Sequence, residues 1–350
     1  MSVDKVILAS PRGFCAGVEK AIKALDWMTR IFEPPVYCYH EIVHNRYVVD
    51  HFVSLGVIFV HDIADVPPGA PVMLSAHGSA PAVVEAARRT GGAVVDAVCP
   101  LVTKVHHELK VRARDGYTVL YVGHEGHEEA IGTMAVAPDS VVLVQSIDDI
   151  ERVSSAGPVA LLSQTTLSRD EWQHLREYAH ERFPDIWQPA HSDLCFATTN
   201  RQAALRDAAR DADVVVVIGS ANSSNTMALT DVARSVGCEH VLRVNGPEDL
   251  PEYLHGRVAV TAGASAPESL VRAVVAALDP RDGVETRVMS VEDEYFPPPP
   301  ELRDILRSLS ALVDLCLATP AASTFDGSAD RVVTAAQILD RSPYERPRGE

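Results

Sequence analysis

The stretch Ser10-Pro11-Arg12-Gly13-Phe14-Cys15-Ala16-Gly17-Val18 decides how the rest of the chain is read. Ahead of it, Lys5-Val6-Ile7-Leu8-Ala9 has the form of a short buried strand. Behind it, residues 18–25 place apolar side chains at 18, 21, 22 and 25, the spacing of a helix. Cys15 therefore falls on a glycine-flanked turn between strand and helix, where a side chain can point out of the fold. Gly13 and Gly17 let backbone come close to whatever the sulfur holds. The arrangement recurs. Val94–Pro100 carries Cys99 into a helical pattern through Val102, Val105 and Leu109, and Ser192–Ala197 carries Cys195 into one through Thr199, Gln202 and Leu205. Cys99 lies 84 residues beyond Cys15, and Cys195 a further 96. Three cysteines that each open a helix at domain-sized intervals predict three similar α/β lobes around one thiolate-bound centre.

Size and composition narrow the function classes. With 350 residues and 47% hydrophobic content the chain can bury two or three cores. Its longest apolar runs, such as Val214–Ile218, are strand-sized, which argues against a membrane span. The first residues hold no basic region followed by a long apolar segment, so no signal peptide is predicted and the cytoplasm is the expected compartment. Six scattered cysteines do not make a disulfide framework and imply a reducing environment. Of these, Cys38, Cys238 and Cys316 read as small core hydrophobes. A net charge of −17 without a dense Lys/Arg cluster disfavours nucleic acid and anionic membrane as partners. An anionic ligand would need a local site of backbone N–H groups, hydroxyls and histidines.

Strand-like runs alternate with helical ones throughout, which predicts parallel sheets with right-handed crossovers. The first lobe is expected over residues 15–98, the second over 99–194 and the third over 195–290. Residues 291–350 are expected to form a C-terminal linker, helix and tail. Pro297–Pro300 reads as an extended linker, residues 301–317 as an amphipathic helix, and the chain from about Ala318 as loosely ordered.

Nearly every polar oddity falls where a predicted strand ends: Cys15, His44, His77, Cys99, His127, Glu129, Thr165, Cys195, Ser223, Ser224, Asn225 and Ser265. In doubly wound sheets, ligands bind beyond the carboxyl ends of the strands. Singly, each residue has a plain structural reading: a lone histidine is commonly a satisfied polar group, and a Ser-Ser-Asn turn commonly a helix cap. Their shared position favours a common site. Three far-separated thiolates suit a cubane iron–sulfur cluster with one iron left open; zinc and unligated thiols are the other readings, although no CxxC pair is present for structural zinc. The hydroxyls, histidines and helix N-termini suit a diphosphate. Glu129, beside His127, has the character of a proton source if its pocket is closed. A non-enzymatic redox sensor would use the same cysteines but leaves Glu129 and the Ser/Asn turn unexplained. A zinc-dependent phosphohydrolase would want more Asp/His ligands.

The motifs Pro11–Val18, His40–Asn45, Ser75–Gly78, Cys99–His106, Gly123–His127, Gln164–Ser168, Ala197–Arg201, Asn222–Asn225 and Thr261–Pro267 together resemble the 4-hydroxy-3-methylbut-2-enyl diphosphate reductase family, in order over residues 4–303. The resemblance implies an α/β fold of three lobes around a 4Fe–4S cluster, with residues 1–14 joining the third lobe. It implies the final, reductive step of the methylerythritol phosphate route to isoprenoids. It places Cys15, Cys99 and Cys195 as cluster ligands and the substrate hydroxyl on the fourth iron. His44, His77, Ser223, Ser224, Asn225 and Ser265 take diphosphate-binding positions, His127 a substrate contact, Glu129 the proton donor's place, and Thr165 a place beside the substrate hydroxyl. A ferredoxin or flavodoxin-type electron donor and a monomer or homodimer are further expectations. The stretch after Arg303 has no counterpart in typical shorter members and is expected to be a docked helix with a frayed tail.

Overall fold

The computed structural model describes residues 2–317 and 330–340. In chain order the first elements are β1 (Ser2–Ser10), α1 (Ala16–Ile31), β2 (Val36–Tyr39), α2 (Arg46–Ser54), β3 (Val57–Val60), β4 (Val72–Leu74), α3 (Pro81–Arg89) and β5 (Val94–Asp96). They are followed by α4 (Pro100–Arg114), β6 (Thr118–Val122), α5 (Glu128–Met134), β7 (Val141–Val144), α6 (Ile147–Arg152), β8 (Val159–Ser163) and α7 (Arg169–Arg182). The remainder comprises α8 (Phe196–Ala209), β9 (Val214–Ile218), α9 (Ser224–Ser235), β10 (His240–Val244), β11 (His255–Ala262), α10 (Glu268–Leu278), β12 (Val284–Val288), α11 (Pro300–Leu317) and α12 (Ala335–Leu339).

These strands form three sheets, and every pairing within them is parallel, as strand–helix alternation predicts. The orders are β10-β9-β11-β1-β12, β3-β2-β4-β5 and β7-β6-β8. The chain divides into two compact units. One is Met1–Cys15, His77–Pro81 and Pro100–Asp293, holding the five- and three-stranded sheets. The other is Ala16–Ala76, Ala82–Cys99 and Glu294–Glu350, holding the four-stranded sheet.

Burial on both faces explains the continuous apolar strands. In β9, Val214, Val216 and Ile218 pack on one side with Val271, Val274 and Leu278 of α10. Val215 and Val217 pack on the other with Ala204, Leu205 and Ala208 of α8 and Leu229 and Val232 of α9. The centre of the three-stranded sheet works the same way: Leu120 and Val122 of β6 face Trp172 and Leu175, while Val119 and Tyr121 face Val105 and Leu109. The edge strand β12 is different. Its Val284 and Val288 are exposed and its residues alternate in accessibility, so it carries no apolar run.

Three cysteines were expected to be plain core thiols. Cys38 is fully buried; Cys238 is half-buried against the α8/α9 side of the large sheet; and the Cys316 side chain lies outside the described residues. The expectation of a loose tail from Ala318 does not hold for residues 330–340. There α12 packs on α1: Ala335 N–H donates to Glu19 at 2.7 Å, Lys23 Nζ donates to the Asp330 carbonyl at 2.9 Å, and Ile338 and Leu339 are buried. The rest of the expected tail, residues 318–329 and 341–350, lies outside the described residues.

Leu120→Ala tests the core of the three-stranded sheet. Emptying this fully buried position is expected to cost about 2–5 kcal/mol in urea unfolding; a cost under about 1 kcal/mol would contradict the packing described.

Candidate functional site

In the first unit, the loops at strand carboxyl ends carry most of the residues picked out from sequence. The turn after β8 is the most informative. Thr165 donates to both carboxylate oxygens of Glu129, through its backbone N–H at 2.7 Å and its Oγ at 2.9 Å. The carbonyl of the same Thr165 accepts the N–H of Cys195 at 2.9 Å. One residue therefore fixes a carboxyl group relative to a cysteine. Glu129 stands in the first turn of α5, whose N-cap is His127: its Nδ1 accepts the Glu129 N–H at 3.2 Å. Glu129 is buried, and loss of solvent pushes its pKa up to about 7. The Thr165 hydrogen bonds act the other way, and the Asp193 carboxyl adds to the rise. Asp193 is itself raised by burial, opposed by Lys104 at 3.3 Å. Both protonation states of Glu129 are thus within reach near neutral pH, as a proton donor needs.

Around this pair lie polar groups of complementary kind. The His77 and His127 rings meet edge to face with centroids 6.0 Å apart, and His77 Nε2 is 3.7 Å from a carboxylate oxygen of Glu128. The turn after β9 supplies Ser223, the N-cap of α9, whose hydroxyl accepts from the Thr226 N–H. Ser224 Oγ accepts from Gln164 Nε2 at 3.0 Å and from Thr166 Oγ1 at 2.9 Å. Asn225 Oδ1 accepts the Ala264 N–H at 3.1 Å, next to Ser265 in the turn after β11. Ser223, Ser224, Asn225 and Ser265 are all buried. The Cys15 loop lies on that same turn: Gly13 N–H donates to the Ala262 carbonyl at 3.2 Å and Cys15 N–H to the Ala264 carbonyl at 3.3 Å. Gly13 has φ +69°, and a Cβ there would stand 3.0 Å from the Ala266 carbonyl oxygen, so the close approach requires glycine.

Two of the sequence candidates belong to the second unit. Cys99 follows β5, and its N–H donates to the Ala76 carbonyl at 3.0 Å. Lys20 of α1 donates to the Val98 carbonyl at 2.8 Å; burial lowers its pKa, while Cys99 and Asp96 pull it back up. His44 is buried, with Nδ1 3.2 Å from Glu41, directly before Asn45, the N-cap of α2.

Each of the three cysteines is a thiol outside any disulfide, partly accessible, and placed immediately before the first residue of a helix: α1, α4 and α8. Thiolates of this kind are the donors that iron–sulfur clusters take.

Gln164 and Thr166 are site residues beyond those that the sequence picks out. Their signal was available: they flank Thr165 in the same strand-end turn, and Gln164 also accepts the His124 N–H at 3.0 Å. Arg201 is also outside that set. It sits on the stripe of Ala197, Ala204, Leu205 and Ala208 that α8 buries, where a charge must find a partner.

Parallel sheets that present thiols, histidines, a buried carboxyl and a hydroxyl-rich turn at strand ends define an α/β enzyme for an anionic substrate. The family model described as LytB protein matches residues 6–279. A 4-hydroxy-3-methylbut-2-enyl diphosphate reductase of Rhodopirellula baltica is 46% identical over 310 residues, covering 87% of this chain and 97% of the relative. One of Streptomyces avermitilis is 44% identical over 314 residues, covering 88% and 93%. The solved structure of the E-1-hydroxy-2-methyl-but-2-enyl-4-diphosphate reductase from Plasmodium falciparum is similar with a TM-score of 0.84 at 30% identity, over 88% of this chain and 99% of that one. A second structure, titled as the terminal enzyme of the non-mevalonate pathway, gives 0.58 at 28% identity over 79% and 99%. The chain belongs to the LytB family.

The raised pKa of Glu129 makes a signed prediction. Folded Glu129 holds a proton between pH 4.5 and about 7 that the unfolded chain releases, so its contribution to stability is lost as pH rises through that window. Melts of Glu129→Gln and the parent across the window should show the variant gaining on the parent as pH rises. A stability difference independent of pH would contradict the assignment.

Proposed function

We infer that this chain catalyses the reductive dehydroxylation of (E)-4-hydroxy-3-methylbut-2-enyl diphosphate to isopentenyl and dimethylallyl diphosphates. Two electrons and two protons enter, the allylic C–O bond breaks, and water leaves. The observation that carries the reading beyond family membership is the Glu129–Thr165–Cys195 chain of hydrogen bonds. It supplies a buried, protonatable carboxyl at a fixed position relative to a thiol.

The roles follow the chemistry of each group. Cys15, Cys99 and Cys195 are proposed as the protein ligands of a 4Fe–4S cluster, which when bound supplies the electrons and a Lewis-acidic iron. Glu129 delivers a proton to the departing hydroxyl, and Thr165 orients the carboxyl while standing beside that hydroxyl. His127 contacts the substrate. His44, His77, Ser223, Ser224, Asn225 and Ser265 bind the diphosphate, with the N-terminal N–H groups of α9 as further donors. Burial of these hydroxyl and amide groups serves an anion well, since few waters compete for them. Each sheet with its helices forms one of three lobes, and β1 belongs to the third. The electrons come from a ferredoxin or flavodoxin-type donor. The chain acts in the cytoplasm as a monomer or homodimer; among the described residues no helix is long and apolar enough to cross a membrane.

A redox sensor would need the thiols but not a carboxyl clasped by two hydrogen bonds and held near neutrality. Glu129→Gln separates the readings. Iron content and binding of the allylic diphosphate should stay at parental levels while turnover falls by about 10²–10⁴-fold. Full turnover would remove Glu129 from the chemistry.

A further inference from the structure

Arg201 is the largest of the fully buried side chains, at 1% exposure, and no role assigned so far uses it. A buried guanidinium must place its donors, and the partners of this one are informative. Its Nε donates to the Gly13 carbonyl at 2.9 Å and its Nη2 to the Phe14 carbonyl at 3.0 Å. Its Nη1 donates to the Ala197 carbonyl at 2.8 Å and reaches both oxygens of Glu292 at 2.9 and 3.0 Å. Asn200 Nδ2 adds a hydrogen bond to Glu292 at 3.1 Å.

Gly13 and Phe14 are the two residues directly before Cys15, and Ala197 is in the first turn of the helix that Cys195 opens. One planar group therefore ties together the loops of two cysteines 180 residues apart in sequence. Glu292, in the segment after β12, neutralises the charge and fixes the plane. Stability alone is a poor reason for this arrangement, because a buried ion pair often does no better than packed apolar groups of the same volume. Lysine could not substitute: a single ammonium on a flexible stem cannot reach three carbonyls and a carboxylate at once.

We propose that Arg201, locked by Glu292, is a positioning residue that sets the geometry of Cys15 against Cys195 for cluster assembly and redox poise. The proposal rests on the reading of these cysteines as cluster ligands. A residue acting at one remove from a metal ligand commonly changes metal affinity about 10–100-fold.

The test uses the full chain, anaerobically reconstituted, as parent, Arg201→Lys and Glu292→Gln. Circular dichroism first establishes conditions under which each is folded. Iron release to a chelator, the paramagnetic resonance spectrum of the reduced protein and its midpoint potential are then measured. The expected result is iron release about 10–100-fold faster in Arg201→Lys, with an altered spectrum and a shifted potential, and the same changes in smaller degree in Glu292→Gln. Variants that merely melt lower while keeping parental iron release, spectrum and potential would overturn the proposal. Should Arg201→Lys not fold, Glu292→Gln decides by the same criteria. A parent that takes up no iron at all would instead sink the cluster reading on which the proposal stands.

Discussion

The large sheet of the first unit depends on one pairing made across the length of the chain. β1 lies between β11 and β12, so residues near the start of the sequence pair with partners such as Val258 and Val284, 252 and 278 residues beyond Val6. Parallel strands cannot be joined by a tight turn, so neighbours in such a sheet are distant in sequence and their carboxyl ends gather loops from far apart. That pairing delivers the Gly13–Cys15 backbone onto the turn of Ala262 and Ala264, beside Ser265 and within reach of Asn225. It also brings the Gly13 and Phe14 carbonyls to Arg201. The position of Cys15 is thus a consequence of sheet topology before it is one of chemistry.

A second constraint is electrostatic. The first unit buries a carboxyl, hydroxyls, an amide and a guanidinium, each costly unless satisfied. Glu129 is served by Thr165, Ser224 by Gln164 and Thr166, Arg201 by three carbonyls and Glu292. The result is a polar interior whose members hold one another in place. Within it, Glu129 is the group that desolvation carries toward neutrality, since its two hydrogen bonds only partly offset the loss of water. A carboxyl poised in this way suits a reaction that must protonate a leaving hydroxyl.

Much of this was legible in the sequence, for identifiable reasons. Strands buried on both faces write themselves as unbroken apolar runs, as in Val214–Ile218. The cysteines before α1, α4 and α8 were readable from the change of period on either side of them. Edge strands were not: β12 alternates between exposed and half-exposed residues and has no apolar run to mark it. The docking of α12 on α1 escaped because its anchors, Glu19 and Lys23, read as ordinary helix-surface charges. The partnership of Arg201 with Gly13, Phe14 and Glu292 escaped because two backbone carbonyls and a distant glutamate leave no pattern in sequence.

The central claim is that the chain is a thiolate-held iron–sulfur reductase of an allylic diphosphate. Its most direct test is anaerobic isolation of the full chain, with an absorption spectrum, iron and sulfide analysis, and turnover of (E)-4-hydroxy-3-methylbut-2-enyl diphosphate under a strong reductant. The account predicts a brown protein with about four iron and four sulfide per chain that converts the substrate to both isomeric diphosphates. A colourless protein that stays free of iron after anaerobic reconstitution and leaves the substrate untouched would contradict it.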